Sequence, residues 1–146
     1  MATITTRFGL LVAVAAAAVG VVAFGVAQAS ASSAPIVITY EKTCVGPVCN
    51  GSAGNGGTIK MRVTSVSATG DAVQLTLTEE ITVGNISFTA EMSGHRSPAG
   101  FIVLNGTVTS NGPLAGAHVH QRSNLEGVDG NTTSWAGELR LMPASS

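Results

Sequence analysis

Three side chains close together in this sequence, His118, His120 and Arg122, have types and spacing that could do chemistry. Alternate residues of an extended chain project to one face, so on a strand the two imidazoles and the guanidinium would stand in a row. Two neutral ring nitrogens so placed can grip one zinc or copper ion without distorting the backbone. A third ligand would come from elsewhere: His95, Glu126 and Asp129 qualify by type, all in segments that read as loops. Without a metal, His118, His120 and Arg122 together with Glu138 would make a polar ligand-binding face. The plainest alternative is the solvated side of an amphipathic strand whose Ala117 and Val119 point inward.

The string Gly116-Ala117-His118-Val119-His120 resembles the first copper-ligand strand of the copper-zinc superoxide dismutases, which are secreted, disulfide-bonded β-barrels. The resemblance implies copper-ligand roles for His118 and His120. It stops there, because no histidine follows His120 and the family's later ligands have no counterpart. Redox chemistry of that kind is not expected.

Other chemistry finds little support. Glu79 and Glu80 are adjacent, and adjacent strand residues face opposite ways, so they cannot share a substrate. No Gly-x-Ser-x-Gly nucleophile turn occurs. The Gly-rich stretch Gly51 to Gly57 is not followed by a helical pattern, which argues against a phosphate cradle. Asn-x-Ser/Thr sequons start at Asn50, Asn85, Asn105 and Asn131, as expected by chance in a chain so rich in these residues.

Cys44 and Cys49 are the two cysteines of the chain and enclose Val45-Gly46-Pro47-Val48. Redox pairs usually have two intervening residues at a helix start, whereas four in a turn suit a structural disulfide. That reading requires an oxidising compartment. The first residues supply one. Arg7 is the sole charge before Glu41, Phe8 to Ala27 is an uncharged Ala- and Val-rich run, and Ala27-Gln28-Ala29 and Ala29-Ser30-Ala31 are small-x-small sites. This order predicts an export signal of bacterial style spanning residues 1–31, cleaved after Ala29 or Ala31. An uncleaved membrane anchor is the alternative, since about 20 apolar residues can span a bilayer, but Ala and Gly insert less favourably than Leu, Ile and Phe.

Residues 32–146 then form one domain, long enough for a single core. Without Arg7, six basic residues stand against eight acidic ones, a charge of about −2. No basic patch invites nucleic acid or anionic lipid, and no later stretch has membrane-spanning length.

Period-two alternation runs through this domain and no helical period with caps appears, so the chain is all-β. Seven strands are predicted: Pro35 to Lys42, Thr58 to Ser67, Ala72 to Val83, Ile86 to Met92, Phe101 to Ser110, Ala117 to Ser123 and Ser134 to Met142. Thr43 to Gly57, Gly94 to Gly100 and Asn124 to Thr133 read as loops, and Asn105-Gly106 as a bulge. Short connections between sequential strands favour a small antiparallel β-barrel, which removes exposed edges, over a two-sheet sandwich.

The expected function is that of a secreted, non-catalytic module binding a small molecule or a cell-envelope component, at the barrel mouth or the polar strand face. The alternatives are a metal-binding protein holding zinc or copper through His118, His120 and His95, and a barrel-type isomerase or dirigent-like enzyme, for which no motif is present.

Overall fold

The computed structural model describes residues 34–144; the segment read as an export signal lies outside them. Eight antiparallel strands close into a barrel in sequential order: β1 (Ile36–Val45), β2 (Val48–Ala53), β3 (Gly57–Thr69), β4 (Ala72–Val83), β5 (Ile86–Arg96), β6 (Phe101–Val108), β7 (His118–Asp129) and β8 (Thr132–Met142). The closing seam pairs β1 with β8 from Ile36↔Leu141 to Val45↔Thr132. The predicted barrel is therefore the observed one, with eight strands in place of seven.

The eighth strand is β2, within the segment read as a loop. Gly46 and Pro47 make a two-residue turn between Val45 and Val48, with Gly46 at φ 58°. A positive φ at the first turn position matches the right-handed twist of a hairpin. Gly130, at φ 59°, does the same between Asp129 and Thr132, so the expected loop Asn124 to Thr133 is an extension of β7 and β8. Likewise, β5 runs on through His95 to Arg96.

No irregularity falls at Asn105-Gly106, which pair in register with both neighbouring strands. The register shifts lie at Val63/Ser65 and Leu125/Gly127 instead. Each adds a residue to one strand of a hairpin and increases its local twist.

Alternation sends one set of residues inward along every strand. One end of the interior is filled by Ile38, Ile59, Ile81, Phe88, Leu104, Val108, Val119, Leu139 and Leu141, all buried. Ile36, Val83, Ile86 and Leu114 pack over that core and plug this end. At the other end the β1–β2, β3–β4, β5–β6 and β7–β8 turns surround an opening.

Cys44 and Cys49 are register partners on β1 and β2 and form a disulfide. Its presence is compatible with an extracytoplasmic location.

Candidate functional site

The open end leads into a cavity of about 290 Å³. Its walls are Val63 and Val66 of β3, Val73 and Leu75 of β4, Ile102 of β6 and Trp135 of β8, with Met61 and the disulfide beneath. Arg96, the last inward residue of β5, is the one charged residue of the lining. Trp135 is buried and held by its own strand, the indole N–H donating to Thr133 Oγ1 at 2.9 Å. The shape and chemistry suit an apolar body with one polar group, at the lower end of the size range of small-molecule sites.

The opening is also where exposed apolar residues gather. Val45 and Val48 flank the β1–β2 turn, Val66 lies near the tip of β3–β4, Phe101 begins β6, and Leu125 and Val128 lie towards the tip of β7–β8. Val37 and Met142, also exposed, lie toward the opposite end of the barrel.

Beneath the cavity the core is polar. Tyr40, Lys42, Glu79, Gln121 and Ser123 are all buried. Lys42 Nζ lies 3.3 Å from Met61 Sδ, 3.8 Å from Glu79 Oε1 and 4.8 Å from the centre of the Tyr40 ring. Gln121 Nε2 donates to Glu79 Oε1 at 3.1 Å. The Tyr40 hydroxyl shares a 2.6 Å hydrogen bond with Ser123 Oγ and donates to the Arg122 carbonyl at 3.2 Å.

These groups are far from their ordinary ionisation behaviour. Burial lowers the Lys42 ammonium below the lysine range, opposed by the charge of Glu79. Burial raises the Glu79 carboxyl, opposed first by Lys42 and then by Gln121. Burial pushes the Tyr40 phenol up to about 12, with the Ser123 hydrogen bond opposing. Taking a charge out of water costs several kcal/mol after relaxation, so each group is driven towards its neutral form.

The residues singled out by type and spacing lie elsewhere. His118, His120 and Arg122 do share one face of β7, but it is the outer face, because Val119, Gln121 and Ser123 take the inner one. Arg122 pairs in register with Glu138, whose carboxylate accepts from Arg140 Nε at 2.8 Å. His120 Nδ1 lies 2.7 Å from Asn105 Oδ1. None of the four lines the mouth cavity. His95 is exposed on β5, opposite Gln74 and Val103, with all of β6 between it and β7. Among the described residues, no group of three or more His, Cys, Asp or Glu side chains is placed to hold a metal ion. Glu126 and Asp129 belong to β7, not to a loop.

The buried polar cluster was signalled in the sequence by polar residues standing in apolar rows. Lys42 continues Ile36, Ile38 and Tyr40, Glu79 falls between Leu77 and Ile81, and Gln121 follows Ala117 and Val119 at the strand period.

Comparison with family models, curated proteins and solved structures finds no match for this chain.

Proposed function

We propose that this protein is an exported binding module that takes a small apolar molecule into the mouth of its barrel. The observation that carries the reading is the 290 Å³ cavity, walled by Val63, Val66, Val73, Leu75, Ile102 and Trp135 and bearing a single charge, Arg96. An apolar chain or ring would fill the cavity while Arg96 meets an acceptor or anionic group of the ligand. Export is supported by the disulfide together with the order of residues 1–31. The water-facing positions of the wall, such as Glu41, Lys60, Arg62, Glu80 and Glu91, are exposed and charged, which supports a barrel surrounded by water.

Titration with 1-anilinonaphthalene-8-sulfonate, an apolar dye with one anionic group, tests the reading. Trp135 is the chain's single tryptophan and lines the cavity. Saturable dye fluorescence with energy transfer from Trp135, competed by a medium-chain fatty acid, is expected. Absence of saturable binding to the folded protein would sink the proposal.

A further inference from the structure

Two acceptors in the middle of the barrel share one difficulty. Glu79 Oε2 and Gln121 Oε1 have no hydrogen-bond partner among the described residues, although both side chains are fully buried. The other halves of the same two groups are joined, Gln121 Nε2 to Glu79 Oε1. A carboxyl and a primary amide already joined by one hydrogen bond can close a second, with a carboxylic O–H donating to the amide carbonyl. One proton on Glu79 Oε2 would thus satisfy both orphans, and an unsatisfied buried acceptor is what folding avoids.

The proton is at hand on Lys42. An ammonium carries three N–H donors, yet the one acceptor within hydrogen-bond range of Nζ is a thioether, Met61 Sδ, and the carboxylate lies beyond that range at 3.8 Å. Transfer from Lys42 to Glu79 leaves the proton count unchanged, removes two buried charges and supplies the missing donor. Burial shifts the two groups in the directions this requires.

We propose that Lys42 and Glu79 rest as amine and carboxylic acid, and that Lys42 captures an apolar aldehyde arriving through the barrel mouth, holding it as an imine. The proposal rests on the mouth being a small-molecule site. Met61 both lines the cavity and touches Nζ, so one flexible, unbranched side chain separates the ligand space from the amine. A neutral, desolvated lysine is a nucleophile at ordinary pH. Of the ligands an apolar cavity admits, a carbonyl compound uses both the amine and the acid beside it.

The Nζ lone pair forms the C–N bond while the carbonyl oxygen takes the Glu79 proton, and the nitrogen returns a proton to the carboxylate. The carbinolamine C–O bond then breaks, and the hydroxyl leaves as water with the Glu79 proton. The nitrogen lone pair makes C=N, and the iminium proton restores Glu79. One aldehyde and one amine give one imine and one water.

Lys60, exposed on the outer wall, is the chain's other lysine and serves as an internal reference. Folded protein is treated with nonanal and cyanoborohydride at pH 6 and pH 9, and the alkylated lysine is located by peptide mass mapping. The titratable groups facing Lys42 are Glu79 and Tyr40. At pH 6, labelling of Lys42 is expected to exceed that of Lys60 by about ten-fold or more, because burial lowers the Lys42 ammonium and each pK unit by which an amine is lowered raises its free fraction about ten-fold; the excess is expected to shrink at pH 9. Met61→Ala should speed labelling of Lys42, and excess 1-nonanol should slow it without affecting Lys60. If wild type and Met61→Ala bind the dye but are alkylated only at Lys60 and the amino terminus, aldehyde capture is overturned while mouth binding stands. If neither binds the dye and Lys42 stays unmodified, both readings fail.

Discussion

Tyr40 and Gly137 stand opposite each other on β1 and β8, and the phenol lies over the glycine to reach Ser123 and the Arg122 carbonyl. A Cβ at position 137 would overlap the Arg122 carbonyl and lie 2.7 Å from the Tyr40 hydroxyl. Gly137→Ala therefore strikes the β7 backbone at Arg122 as well as the Tyr40 hydroxyl and should cost about 2 kcal/mol or more, as overpacking of a filled interior does. Gly127→Ala, where a Cβ meets nothing within 4 Å, is the matched control and should cost far less in urea unfolding.

Tyr40 is the chain's single tyrosine, so phenolate absorbance reads it directly. The folded protein should titrate near 12, and the urea-unfolded chain near the ordinary value of about 10. With the folded value raised, this stabilisation is fully present below pH 10 and is lost as pH rises through 12. Its size is about 2 to 3 kcal/mol. A folded-state midpoint near 10 would contradict the buried, hydrogen-bonded phenol.

Lys42→Met separates a neutral pair from an ionic one. Removing one partner of a buried ion pair strands a charge and costs about 3–5 kcal/mol. If Glu79 is a carboxylic acid bonded to Gln121, removing the amine leaves that arrangement intact, and the expected loss is about 1 kcal/mol. Urea denaturation at neutral pH measures the difference.

Reduction of the Cys44–Cys49 disulfide, or the double replacement Cys44→Ala, Cys49→Ala, releases a loop closed over a sequence separation of five. Loop-closure entropy for so small a ring gives about 2 kcal/mol, and Tm should fall by roughly 10 °C for a domain of this size. Fluorescence-monitored melting with and without reductant checks this.

Leu75→Asp places a carboxylate in the wall of the mouth and should weaken dye binding at least about ten-fold, a 1.4 kcal/mol effect. The double mutant His118→Ala, His120→Ala changes the outer wall alone and should bind the dye like wild type. Titration of both variants beside wild type reads the contrast, and a loss confined to the histidine variant would move the site to the outer face.

The barrel was legible because its inner rows are periodic: Ile59, Met61 and Val63 on β3, and Phe88, Ala90 and Met92 on β5, are inward in the structure as alternation requires. β2 was not, since Asn50, Gly51 and Ser52 are strand-poor types held by their neighbours' hydrogen bonds. The opposed faces of Glu79 and Glu80 were readable, one buried and one exposed. What Glu79 meets inside was not, because Lys42 and Gln121 come from β1 and β7 and converge only when the wall curves round. The mouth was equally hidden: Val66 reaches it after the register shift at Val63/Ser65, which leaves no mark in the residue types.

The pairing of β1 with β8 joins Ile36 to Leu141, almost the whole described length apart. Every other strand pair is a local hairpin. Hairpins of this kind form within microseconds, whereas a contact of such long sequence separation carries the full loop-closure cost. The seven local pairs can form as a curled, open sheet with two free edges, and pairing of Thr132 to Leu141 with β1 then converts it into a ring. Closure consequently carries the largest loop-closure cost of any pairing in the barrel, and loss of β8 would leave a strand-pairing template at each side of the remaining sheet.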